Sequence, residues 1–105
     1  MDPNSQAAMR DFAARVRARM PDARIWAFGS RARGDHGEFS DLDVCVVAAS
    51  LDADADRYIM DCAWDAGFAN DIVITTVTYS LREFEEGPCS ASPLVHTILQ
   101  EGLPV

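Results

Sequence analysis

Along the chain, stretches whose apolar residues recur every three or four positions alternate with short runs that are apolar throughout. Met9, Phe12, Val16 and Met20 share one face at helical spacing, behind a start signal in Asp2-Pro3-Asn4-Ser5 and before a stop at Pro21. This predicts a first helix that turns Arg10, Arg17 and Arg19 mainly to solvent. Arg24 to Phe28 is apolar on both faces and ends at Gly29, the pattern of a central buried strand. Ser30 to Arg33 reads as one helical turn before Gly34, and Asp35 to Ser40 as a polar return into a second strand over Leu42 to Ala48.

The strongest helical stripe is Leu51, Ala55, Tyr58, Ile59, Cys62, Ala63 and Ala66, with Ser50 or Asp52 as N-cap and Gly67 as its stop. A β-branched run from Asn70 to Val77 predicts a third strand. A helical turn around Leu81 to Glu86 and a closing helix from about Ser92 to Glu101, ended by Gly102, complete the pattern. The polar return between strands one and two is too short for a full crossover, which favours antiparallel pairing. The long helix between strands two and three implies a right-handed parallel crossover. The expected class is therefore α+β, a small mixed β-sheet flanked by helices, in a single domain over residues 1–105.

Composition narrows the function classes. The chain has 105 residues, is 49% hydrophobic and carries a net charge of −8, so it can bury a core and lacks the signature of disorder. Its longest apolar run, the six residues Val44 to Ala49, falls far short of the roughly 20 a membrane helix needs. The N-terminal stretch has no apolar signal region, so neither secretion nor a membrane partner is expected. Cys45, Cys62 and Cys89, spaced 17 and 27 apart, match neither a zinc pair nor a disulfide framework. A reducing, cytoplasmic compartment suits them.

The charge is unevenly placed: residues 1–33 sum to +4 and residues 34–105 to −12. The acidic excess argues against direct binding of duplex nucleic acid, whose affinity comes from cations.

Three features carry candidate chemistry. Asp41 and Asp43 are two apart on strand two, so both carboxylates share a face at a backbone separation of roughly 7 Å. Alone, an Asp-x-Asp is more often a solvent-facing strand edge. As a pair on a rigid strand anchored by Leu42, Val44 and Val46, it suits a hard, oxygen-seeking cation such as Mg²⁺. Gly29-Ser30-Arg31-Ala32-Arg33-Gly34 follows an apolar strand and opens a helical turn. Its free amides and the Ser30 hydroxyl make an anion site, with Arg31 or Arg33 to neutralise charge. The Gly-Lys-Ser/Thr ending of a Walker loop is absent. Asp71, at the start of strand three, can join Asp41 and Asp43 if strand three lies beside strand two, since neighbouring strands are about 4.8 Å apart.

Gly29-Ser30-x-x-x-Gly34, then Ser40-Asp41-Leu42-Asp43-Val44, then Asp71-Ile72-Val73, resembles the signature of the DNA-polymerase-beta-like nucleotidyltransferase superfamily. In particular it resembles the minimal nucleotidyltransferases of prokaryotes, some of which act as antitoxin partners of HEPN-domain ribonuclease toxins. The resemblance implies transfer of a nucleoside monophosphate, AMP from ATP, to a hydroxyl of a partner protein. By position, Gly29 and Ser30 would hold the β- and γ-phosphates, and Asp41 and Asp43 would ligate Mg²⁺, of which the family uses two ions. Asp71 would complete the metal site and orient or deprotonate the acceptor. A HEPN toxin would be the partner, neutralised by modification of a tyrosine.

Two other readings stay open at this level: a catalytically silent module that blocks its partner sterically, and transfer to a small molecule. The apolar last helix and the arginine-bearing first helix are candidate interfaces, including for an oligomer. His36 is expected in an exposed loop, His96 partly buried on the last helix, and Cys45 in the core.

Overall fold

The computed structural model describes residues 1–35, 37, 40–86 and 92–105. The first helix, α1 (Pro3–Arg19), buries Met9, Phe12 and Val16 along the expected stripe, together with Ser5, Ala8 and Ala13. It leads to β1 (Arg24–Phe28), the short helix α2 (Gly29–Arg33) and β2 (Leu42–Ala48). Next come α3 (Ala53–Asn70), β3 (Ile74–Ser80), α4 (Leu81–Glu85) and α5 (Pro93–Glu101), then the two-residue β4 (Leu103–Pro104). Asp52 caps α3 by accepting from the Ala55 amide at 2.7 Å. Ser80 and Glu83 form a reciprocal capping box on α4, and Ser92 caps α5.

The sheet order is β3-β2-β1-β4. β1 and β2 pair antiparallel and β2 and β3 parallel, as the connection lengths require. β4 adds antiparallel to the far side of β1, a pairing too short to leave a periodicity in the sequence.

The two faces of the sheet hold separate cores, and the alternation of β1 and β2 assigns them. Ile25, Ala27, Leu42, Val44 and Val46 face α1 and α3, meeting Phe12, Val16, Ile59, Cys62 and Ala66. Phe28, Cys45 and Val47 face the other way, against Phe84, Val95 and Ile98 of α4 and α5. Trp26 stacks on Phe84 with ring centroids 5.4 Å apart. No helix among the described residues is long and apolar enough to cross a membrane.

Three expectations are corrected. Gly67 does not stop α3, which runs on to Asn70, and Asp71 takes the left-handed terminating conformation at φ 53°. Gly67 serves packing instead: a Cβ there would lie 2.5 Å from the Ile72 carbonyl oxygen, so its absence lets the chain double back against the helix. The longer helix displaces the third strand, which begins at Ile74 rather than Asn70. His96 is exposed on α5 rather than partly buried. His36 and Cys89 lie outside the described residues.

Candidate active site

Asp43 is the second residue of β2 and pairs with Phe28, the last residue of β1, so the strand register carries its carboxylate to the turn at Gly29. Gly29 has φ 78°, a conformation that favours glycine, and a Cβ on it would fall 2.3 Å from Asp43 Oδ2. The carboxylate therefore occupies the space a side chain would fill. Its other oxygen, Oδ1, accepts a hydrogen bond from the Thr75 hydroxyl at 2.6 Å. Thr75 stands directly opposite Asp43 on the parallel neighbour β3.

At Gly29 the chain enters α2, whose first amides have no partner within the helix and receive no side-chain cap from Phe28. Ser30 is half-buried there. Its carbonyl accepts from the amides of Gly34 and Asp35, closing the turn.

Asp41 is exposed just ahead of β2. The backbone before it is held by Arg31, whose Nε donates to the Ser40 carbonyl at 2.6 Å. The same guanidinium donates to Ser5 Oγ of α1 at 3.0 Å, lies 4.0 Å from Asp2, and is 7% exposed. Arg31 was expected to neutralise phosphate. The structure gives its guanidinium to Ser40 and Ser5 instead, so it acts as a positioning residue that ties α2, α1 and the approach to Asp41 together. Arg33 is exposed and pairs with Asp35 at 3.2 Å.

Asp71 was expected at the start of β3, beside the other two acids. It lies instead in the turn after α3, exposed, and the β3 residue that meets Asp43 is Thr75. Among the described residues no three His, Cys, Asp or Glu side chains come together at metal-binding distance. Asp71 does share a groove of about 770 Å³ with Asp41, walled by α3 and β3. Thr75 and Ser5 were missed because both act across the fold, at separations of 32 and 26 residues from their partners.

The donor chemistry of this end of β2 fits a divalent cation. Asp43 stands on the strand with one oxygen fixed by a hydroxyl and the other against the Gly29 turn, and Asp41 lies two residues before it, just ahead of the strand. Cys45, next on the same face, is excluded from chemistry because burial pushes its thiol up to about 12.

The nucleotidyltransferase domain family matches this sequence over residues 9–102. The chain belongs to that family. Residues 9–102 take in the Gly29-Ser30 turn, Asp41, Asp43 and Asp71. Solved structures agree on the fold. A chain of a toxin-antitoxin crystallised with AMP-PNP is 26% identical with a TM-score of 0.63, covering 90% of this chain and 69% of that one. A chain from a mutant of the toxin-antitoxin MntA-HpeT with a Tyr→Ala change is 26% identical with a TM-score of 0.62, covering 92% and 70%. In a second MntA-HpeT mutant, two aspartates two positions apart are changed to glutamate; its matching chain is 24% identical with a TM-score of 0.63. No curated protein matches the sequence. The chain is a nucleotidyltransferase, with a four-stranded mixed sheet and five helices among the described residues.

Proposed function

We propose that this nucleotidyltransferase transfers AMP from ATP, with Mg²⁺, to a hydroxyl of a partner protein, and that the partner is a toxin of the HEPN type which it neutralises as an antitoxin in the cytoplasm. The observation that carries the reading is the seating of the Asp43 carboxylate over Gly29, which sets one of the two paired acids against the turn that would bind phosphate. The similarity to chains of toxin-antitoxin structures, one of them with AMP-PNP, supports the nucleotide and the kind of partner. The glutamate mutant of MntA-HpeT alters two aspartates at the spacing that Asp41 and Asp43 have here.

In this reading Gly29 and Ser30 bind the β- and γ-phosphates through the turn amides and the Ser30 hydroxyl. Asp41 and Asp43 would hold Mg²⁺, which when bound neutralises charge at the phosphates undergoing transfer. Thr75 keeps the Asp43 carboxylate oriented, and Arg31 keeps the backbone ahead of Asp41 in place. The acceptor oxygen forms a bond to the α-phosphorus while the bond from that phosphorus to its bridging oxygen breaks. Pyrophosphate leaves with the electron pair. The hydroxyl proton passes to Asp71, the carboxylate of the groove, and on to water.

The test is intact-mass analysis of the neighbouring gene's product after coexpression with the wild-type chain or with Asp43→Asn. The expected result is an increment of one or more AMP units with wild type and none with the variant, whose cooperative unfolding curve shows that it still folds. Suppressed toxicity with no increment in either sample would overturn transfer in favour of steric blocking.

A further inference from the structure

α3 carries two apolar stripes, and the core uses only one. Ile59, Cys62, Ala63 and Ala66 pack inward. Met60, Trp64 and Phe68, spaced by four, form a ridge on the outside with exposures of 58, 75 and 84%, and Val73 extends it at 62%. Single exposed apolar residues need no explanation, but a contiguous ridge with a tryptophan at its middle is what interaction sites look like.

Met60, Trp64, Phe68 and Val73 line the same groove as Asp41 and Asp71. So does β3, the outer strand of the sheet. Its sequence, Ile74 to Ser80, has no charge and no proline, the devices that usually turn partners away from a sheet edge.

Charge decides what the groove accepts. Asp41 and Asp71 line it, and Asp61 and Asp65 are exposed one residue along from Met60 and Trp64. The only cation lining the groove among the described residues is Arg31, already engaged with Ser40 and Ser5. A second copy of this chain meeting the groove with its own α3–β3 face would bring acid against acid. A cationic segment would be drawn in.

We propose that the α3–β3 groove is the docking site for the acceptor protein, and that it takes a segment with apolar or aromatic anchors flanked by Lys or Arg, led by Trp64 and Phe68 toward Asp41. This rests on the transferase reading for the purpose of docking, though not for the docking itself. Placing the anchors beside Asp41 brings the acceptor hydroxyl to the acidic end of β2 without a separate acceptor-binding domain.

The test uses two synthetic peptides of Leu, Tyr and Lys, and of Leu, Tyr and Glu, in the same pattern, against wild type, Trp64→Phe, Asp43→Asn and Trp64→Asp/Phe68→Asp. Binding is read by calorimetry and by tryptophan emission, after thermal unfolding has shown that each variant folds. The Lys peptide should bind wild type and Asp43→Asn alike and shift the emission of Trp64 to the blue, a shift that Trp64→Phe abolishes. The Glu peptide should not bind. The double variant should lose at least about tenfold in affinity for the Lys peptide. Because that variant is more acidic, general charge attraction would strengthen its binding instead, and that result overturns the proposal. So does a wild-type dimer in sedimentation that the double variant dissolves, since a second copy would then be the occupant.

A parallel labelling arm with Mg²⁺ and labelled ATP separates the two readings. If the Lys peptide binds through Trp64 but no protein acceptor is ever labelled, docking stands and protein transfer fails. If the coexpressed partner is labelled equally by wild type and the double variant, transfer stands and docking fails.

Discussion

Gly29 and Gly34 form a natural pair of experiments. Their backbones are nearly the same, at φ 78° and 83°, but a Cβ on Gly29 meets Asp43 Oδ2 at 2.3 Å while one on Gly34 meets nothing within 4 Å. Alanine at either position incurs the left-handed penalty of about 1–2 kcal/mol. At Gly34 nothing further is lost. At Gly29 the carboxylate must retreat by about 1 Å to reach ordinary contact, and the retreat breaks its 2.6 Å bond from Thr75. A hydrogen bond to a charged group contributes about 1.5–3 kcal/mol, so Gly29→Ala should cost about 2.5–5 kcal/mol in total. Either variant should still fold, given the usual stability of about 5–15 kcal/mol. A displacement of about 1 Å at a reacting centre lowers rate on the order of 100-fold.

Urea unfolding and transfer from labelled ATP to the coexpressed partner, measured side by side, check this. Gly34→Ala should lose stability alone, and Gly29→Ala should lose both stability and activity. Equal activity in the two variants would refute the claim that the empty space at Gly29 belongs to the Asp43 carboxylate.

The remaining predictions concern residues whose work crosses the fold. Thr75→Val should lower kcat about tenfold with the nucleotide KM held, because it frees the carboxylate it orients, and Thr75→Ser should restore the rate; a Val variant as fast as wild type would remove Thr75 from the site. Arg31→Lys cannot span both the Ser40 carbonyl and Ser5, and should cost about 2–3 kcal/mol in urea unfolding, whereas a phosphate ligand would raise nucleotide KM and leave stability alone. Cys45 gives a pH signature. Burial raises its folded value to about 12 against about 8.5 for an ordinary thiol, so its contribution is complete below pH 8.5 and is lost as pH rises toward 12. The slope is about 1.4 kcal/mol per pH unit. Urea midpoints from pH 7 to 10.5 should therefore fall more steeply for wild type than for Cys45→Ala, and parallel slopes would contradict the burial argument.

The sequence by itself determined what local chemistry and period can encode. β1, β2, α2 and α5 lie where alternation, caps and glycines place them. The pairing directions follow from connection length, since a short polar return cannot cross over and an amphipathic helix must. Asp41, Asp43, Gly29 and Ser30 were legible as candidates because their roles depend on neighbours within a strand or a turn. Tertiary structure decided everything that depends on register between strands.

A spacing of 32 residues cannot say that Thr75 rather than Asp71 faces Asp43. That outcome hinges on α3 running three residues past Gly67, which in turn depends on the Ile72 carbonyl packing where a Cβ would have been. Arg31 looked like a phosphate ligand because its sequence neighbours form a glycine-bounded turn, yet its guanidinium reaches inward, where Ser5 and the Ser40 carbonyl arrive from other elements. The outer stripe of α3 was in the sequence too, as Met60, Trp64 and Phe68. Only the packed sheet showed that the core leaves it uncovered, because one helix face can be buried against one layer and the opposite face cannot.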